Sequence, residues 1–415
     1  MEDSKAMNGT GGLTIKIGIS YIILAVVFLG VLRPSIFGGT VGICFRVACL
    51  LVGLVFFFFN MRIRKMFNMS LIYVIPVIIS CLYNYKYKGL DLSNLINGLQ
   101  YALCIYEIYT MFQYCDQKKT AKGLTEALCK ICGLYCLLSA VTVFIYGKSY
   151  QYSNSYFIGS KYMVCYIMML YVGLKYNLNE QIYKTNKREY YKFVGIFLIF
   201  EIVAWYANCM TGFASLFLIF IMLHLPEKAK KFFSNPIVII GFLILSMLMI
   251  FIIPELLKLK LVQFVVQDIM GKDLTLTDRL RYYERAVDVY KQGGIWLGYG
   301  YESNVMRDNI AFGTNIQNGL AHIMLSFGLI GGLALIIMIF RSVHISNQNK
   351  KITCNVPLRA SNWALYAVLY GFIFAAIAEI SLSFVFFITI FIIRWSENYL
   401  GFERSLKRKK IRIVR

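Results

Sequence analysis

Arginine is spaced for anion chemistry in one short stretch of this chain. Arg279, Arg281 and Arg285 fall in the run DRLRYYERAVDVYK that starts at Asp278. Thr277 and Asp278 are good helix N-caps, so the run predicts a helix with Arg279 in its first turn. Leu280, Tyr283, Val287 and Tyr290 then share one face, and Asp278, Arg281, Arg285 and Asp288 another. A helix N-terminus presents free N–H groups and a positive dipole end. Guanidinium forks match phosphate oxygens, so the stretch predicts a phosphate or pyrophosphate clamp. The alternative is an amphipathic surface helix whose charges pair among themselves. That alternative weighs more on Arg281 and Arg285 than on Arg279, which has no partner on its own face.

Further polar groups follow at short spacing. Gly298 and Gly300 flank Tyr299, and a G-x-G of this kind marks a tight turn or close backbone approach to a ligand. Gln317 and Asn318 stand at the start of an apolar run, with His322 further along it. Glu302 and Asp308 are the nearby carboxylates that are candidates for a general base, beside His322. Gly328, Gly331 and Gly332 lie deeper in the same run, where small residues favour close helix packing.

The elements that must hold these residues are membrane helices. The chain has 415 residues, of which 59% are hydrophobic and only 15% charged. Soluble domains carry roughly 25% charged residues. The expected fold is an all-α polytopic membrane protein with about 12 spans of roughly 20 apolar residues each. The spans run from Leu13 to Leu32, Val41 to Phe59, Phe67 to Tyr83, Leu92 to Phe112, Leu124 to Tyr146 and Tyr162 to Leu174. They continue from Phe193 to Tyr206, Thr211 to Leu225, Ile237 to Ile253, Leu320 to Phe340, Trp363 to Ile380 and Leu382 to Trp395. This divides the chain into an N-terminal bundle (1–253), an extracytoplasmic loop with short helices (254–319), C-terminal spans (320–403) and a basic tail (404–415).

The formal net charge of +22 does not point to nucleic acid, because the cations sit in short loops beside apolar runs. Arg62, Arg64, Lys65, Lys118, Lys119, Lys122, Lys228, Lys230, Lys231 and Arg341 mark one side, and Arg33, Lys86, Lys88, Lys148 and Lys161 the sparser other side. Both termini are therefore expected in the cytoplasm and the 254–319 loop outside, with no cleaved signal peptide.

Ionisable residues inside spans add candidates. Arg46 lies at a depth suited to a lipid-linked diphosphate near the outer leaflet, and Lys161 stands at a span mouth. Glu107 and Glu201 lie within spans, and Arg46 with Glu107 is one candidate ion pair. Cys129, Cys132 and Cys136 recur at helical spacing and read as packing residues. With three His in the chain and none near those thiols, no metal site is expected.

An Arg-led helix, a G-x-G turn, a polar pair at a span mouth and G-L-I-G further down together resemble the O-antigen ligase and polymerase superfamily. The resemblance covers about Thr277 to Gly332. It implies a membrane glycosyltransferase that uses polyprenyl-diphosphate-linked sugars at the outer face, with neither metal nor other cofactor. Arg279, Gly298, Gly300 and Asn318 match the family pattern, and Gln317 stands where the family carries His. The resemblance gives Arg279, Gln317 and Asn318 expected catalytic roles and Gly298 and Gly300 a place at the substrate; His322 as a further catalytic candidate, and Arg281, Arg285, Arg46 and Lys161 as binders of diphosphate or sugar, are expected from their own chemistry and position. The implied partners are lipid-linked oligosaccharide donor and acceptor, the bilayer, a chain-length regulator and a flippase. Repeat-unit polymerase is the favoured activity. Polysaccharide ligase and lipid-linked oligosaccharide flippase are the alternatives, and transporters place their sites at the midplane instead of in a loop.

Overall fold

The computed structural model describes residues 19–35, 38–146, 156–264, 267–268, 279–303, 316–353 and 362–395. Among them every regular element is a helix, apart from one isolated bridge between Tyr156 and Gly159. In chain order the helices are α1 (Ile19–Val31), α2 (Gly39–Asn60), α3 (Ile63–Met66), α4 (Leu71–Tyr87), α5 (Leu92–Gln117) and α6 (Ala121–Tyr146). Next come α7 (Lys161–Thr185), α8 (Lys187–Tyr206), α9 (Met210–Leu223), α10 (Glu227–Phe233), α11 (Pro236–Leu256) and α12 (Lys260–Phe264). The last four are α13 (Arg279–Lys291), α14 (Gly319–Thr353), α15 (Trp363–Ala375) and α16 (Phe384–Trp395).

Four helices are long and apolar enough to cross a membrane: α2, α6, α11 and the stretch Gly319–Gln348 of α14. Five apolar helices are shorter, among them α4, α9, α15 and α16. Much of their apolar surface faces outward, including Phe58, Phe59, Leu137, Ile145, Phe217 and Ile237. A soluble protein does not expose apolar area on this scale, whereas lipid solvates it. The fold is that of an all-α membrane protein.

Helix ends depart from the expected spans where polar residues continue or interrupt the helical hydrogen bonding. Helix α14 runs on to Thr353 instead of stopping near Phe340, so Arg341, His344 and Gln348 extend it as a polar stalk. Helix α5 reaches Gln117 and α7 reaches Thr185 in the same way. In contrast, α15 ends at Ala375 and α16 begins at Phe384. The intervening 376–383 segment is non-helical, where continuous helix to Ile380 was expected. Ser381 Oγ donates to the Phe372 carbonyl, and Gly319 N donates to the Ala376 carbonyl at 2.8 Å. These bonds take up carbonyls that a continued helix would have used itself. Nearly every residue of α15 and α16 is buried, so this hairpin is the axis of the bundle.

The centre of α14 is broken. Gly328 adopts φ 69° and ψ −172°, a backbone region reserved for glycine. Segment 295–300 fills the break. Tyr299 N donates to Leu325 O at 3.0 Å, Gly300 N to Ser326 O at 2.8 Å, and Leu329 N to Ile295 O at 2.7 Å. Ser80 Oγ of α4 donates to Leu297 O and, at 3.1 Å, to Ser326 O. The loop therefore dips between α4 and α14 and has its backbone groups satisfied there, as irregular chain buried at such depth requires. The expectation of smooth glycine packing along this span is corrected at Gly328, which breaks the helix instead. A Cβ there would lie 2.1 Å from the Trp296 carbonyl oxygen.

Candidate functional site

The cation-poor turns meet at one end of the bundle. Lys88 Nζ donates to Gly293 O at 2.8 Å, and Asn94 Nδ2 donates to Glu302 O at 2.9 Å. Ser35 N donates to Phe157 O at 2.8 Å, while its hydroxyl bonds the Tyr156 carbonyl. The α4–α5 connection thus holds residues 293–303, and the α1–α2 connection holds the α6–α7 connection.

Arg46 sits in this region, about 10 Å along α2 from the helix start by the rise per residue. Its Nε donates to the Gly30 carbonyl of α1 at 3.1 Å, and its guanidinium lies 5.7 Å from the Phe384 ring. Phe384 contacts Tyr101 at 5.5 Å, and Tyr101 contacts Tyr301 at 5.2 Å. Glu302 follows Tyr301 directly. Asn94, Gly98 and Tyr101 lie at helical spacing on α5. A Cβ at Gly98 would stand 3.0 Å from Tyr301 Cβ, so this face of α5 seats the loop.

Electrostatics ties the charged members together. Burial holds the Arg33 guanidinium below its usual range, and the neighbouring Arg46 charge lowers it further. The Glu302 side chain has exposed surface but is ringed by protein atoms. That desolvation raises its carboxyl, with Arg46 and the Tyr301 hydroxyl pulling the other way. Burial also drives the Tyr301 phenol well up, with the Glu302 charge adding to the effect. Glu302 has φ 48°, a left-handed backbone uncommon for a non-glycine residue. The Asn94 bond to its carbonyl holds it in that conformation.

Arg46 thus lies within electrostatic reach of both Arg33 and the desolvated Glu302 carboxyl. Such a set can neutralise a phosphate ester and accept a proton from a hydroxyl. Arg33, Asn94, Tyr101 and Tyr301 are members that sequence reasoning missed. Arg33 had a signal: it is a cation in a cation-poor turn, directly before Pro34. The tyrosines had none, because nothing in their spacing links α5 to a loop 200 residues later.

The other expected residues fall in distinct places. Asn318 is fully buried and caps α14, its Oδ1 accepting from Ala321 N at 3.1 Å. Its Nδ2 donates to Ser246 O of α11 at 2.8 Å and to Ile377 O at 3.3 Å. Tyr283 of α13 donates to the same Ile377 carbonyl at 3.0 Å, so the Arg-led helix and the polar pair do come together. Gln317 has φ 54° and is half-buried. His322 is buried one turn into α14, and its Nδ1 has no hydrogen-bond partner among the described residues.

Arg279 and Arg281 lie in the first turn of α13, and their side chains fall outside the described residues. Arg285 is exposed on that helix. Thr277, Asp278 and Asp308 also lie outside the described residues. Lys161 donates to Asn208 O at 3.0 Å across the tight α8–α9 turn, with its ammonium 5.5 Å from the Tyr162 ring.

Gly298 and Gly300 have positive φ of 65° and 85°. A Cβ at Gly298 would meet the Ser326 carbonyl at 2.4 Å, and one at Gly300 would meet Leu90 at 2.8 Å. Close approach here is to the protein's own chain. The Arg46–Glu107 pair is not formed, since both Glu107 carboxylate oxygens are buried without a hydrogen-bond partner. Glu201 is in the same position. Cys129, Cys132 and Cys136 are buried free thiols on α6. The chain matches no protein-family model and no curated protein, so the reading of this site rests on its own geometry.

Proposed function

We propose that this chain is a membrane glycosyltransferase that joins polyprenyl-diphosphate-linked oligosaccharide repeat units at the outer face of the cytoplasmic membrane, for capsule, exopolysaccharide or O-antigen. In this reading about 12 helices cross the bilayer, both termini are cytoplasmic, and residues 254–319 face outward. The observation that carries the proposal is the grouping of Arg33, Arg46 and Glu302 beside Tyr301, at the end of the bundle where the loop cations are fewest.

The chemistry follows from that grouping. An acceptor sugar hydroxyl attacks the anomeric carbon of the donor. The new C–O bond forms as the bond from that carbon to the diphosphate oxygen breaks. The Glu302 carboxylate takes the hydroxyl proton, and the departing polyprenyl diphosphate carries the electron pair. Arg33, Arg46 and the Arg-led start of α13 stabilise the developing negative charge. Phe384 and Tyr301, both partly exposed and backed by the buried Tyr101 ring, supply aromatic surface against which a sugar ring or prenyl chain packs.

The test is polymerisation by the purified full chain with a defined lipid-linked repeat unit, followed by sizing of the glycan. A ladder of lengthening products that disappears in Arg46→Ala supports the proposal. Wild-type protein that leaves the unit at its starting size, while binding it, overturns it.

A further inference from the structure

The opposite end of the bundle, where the loop cations concentrate, holds a second site. A cleft of roughly 550 Å³ opens there between the starts of α4 and the ends of α14 and α16. Its polar lining is Asn68, Arg341, His344 and Arg394, and its apolar wall includes Met69 and Ile72. Residues 385–393 of α16 are all buried and apolar or neutral, so Arg394 is a cation set on the end of an otherwise lipid-like helix. Such a residue is costly to place and marks a site.

Arg394 is held among aromatic rings. Its guanidinium lies 5.0 Å from the Trp395 ring and 5.7 Å from the Tyr109 ring, and Nη1 is 4.0 Å from Met69 Sδ. Its Nε is buried with no hydrogen-bond partner among the described residues. Arg341 is exposed on α14, and neither arginine has a carboxylate partner among the described residues. The ion pairs that do form join lysines to glutamates three or four residues away on other helices. His344 stacks parallel to Phe340 at 5.6 Å and has a 2.8 Å contact with Gln348 Nε2. Arg62, Arg64 and Lys65 are exposed on the segment leading to Asn68.

We propose that this cleft binds the phosphate headgroup of an anionic membrane lipid, with its acyl chain lying along Met69 and Ile72. Two guanidiniums with no carboxylate partner among the described residues supply forked donors for phosphate oxygens. The cleft has the volume of a small-molecule site, and apolar and cationic walls meet in it as headgroup and chain do in a lipid. The proposal is independent of the glycosyl-transfer reading, because no residue is shared between the two sites.

The experiment is native mass spectrometry of the purified full chain in detergent with phosphatidylglycerol, phosphatidylcholine or soluble glycerol phosphate. Retention of phosphatidylglycerol at least about tenfold above phosphatidylcholine is expected. Arg341→Gln, on an exposed position that spares the fold, reduces that retention several-fold, and adding Arg394→Gln abolishes it. Lys187→Gln with Arg188→Gln, which removes two exposed cations elsewhere at this end, leaves it unchanged. Equal retention of the two lipids, or of phosphatidylglycerol by wild type and Arg341→Gln, overturns the proposal. Glycerol phosphate competing as well as the lipid also overturns it, in favour of a soluble phosphoester.

Discussion

Glu302 is the residue on which the proposed chemistry turns. Desolvation keeps its proton on to higher pH than for an ordinary carboxyl, and Arg46 moderates the effect. A base must be deprotonated to work, so activity falls as pH drops through this raised pKa. The acidic limb of the pH–rate profile is therefore expected above the ordinary carboxylate range. Glu302→Gln lowers turnover by about 10²- to 10⁴-fold and removes that limb; a profile unchanged in shape would assign the base elsewhere. Arg46→Ala costs about 10²- to 10³-fold in polymerisation rate. Arg46→Lys restores little, because an ammonium lacks the fork. Measuring both on the defined repeat unit separates charge from geometry. Sequence could name Arg46 and Glu302 one by one, from membrane depth and proximity to a G-x-G. It could not place them together, because their neighbourhood depends on the α5 face that seats Tyr301. His322 was equally visible in the sequence but is buried one turn into α14.

At the scale of elements, the break in α14 organises the loop. Gly328→Ala puts a Cβ against the Trp296 carbonyl, which is backbone and cannot swing away. It also forces a side chain into a glycine-only conformation. The combined cost is on the order of 3 kcal/mol. The expected outcome is a clear loss of thermal stability in detergent; an unchanged melting temperature would mean the segment rearranges freely. Asn318→Ala removes a cap and two carbonyl bonds, leaving Ser246 O and Ile377 O with fewer donors. About 1–3 kcal/mol is expected from the buried loss, read as a lower melting temperature. Helix positions were legible from apolar runs, including the four-residue gap between the spans ending at Tyr206 and starting at Thr211, where the tight α8–α9 turn falls. The helix break was not, since Gly328 carries no more sequence signal than Gly331 or Gly332. Only the partner segment from Ile295 to Gly300 distinguishes it.

For the whole molecule, the inside-positive bias assigns Arg62, Lys118, Lys230 and Arg341 to one side of the proposed bilayer and Arg33, Lys88 and Lys161 to the other. Orientation follows from the inside-positive bias and is open to labelling. Among the described cysteines only Cys44 is exposed; it and Cys354, which lies outside the described residues, are replaced first. Asn94→Cys is then expected to react with an impermeant maleimide in intact cells, and Lys119→Cys only after lysis. The reverse pattern would put the Glu302 site inside and end the outer-face proposal.

The insertion of residues 295–300 into α14 also bears on how the chain is made. The loop is synthesised before the helix whose carbonyls its amides need. While the ribosome is still adding residues up to about Leu329, the loop has no native partner for Tyr299 N or Gly300 N. A nascent chain stalled before that point therefore holds its first thirteen helices with an unfinished loop. Completion of the proposed site is a late event in biogenesis, timed by the arrival of a single glycine.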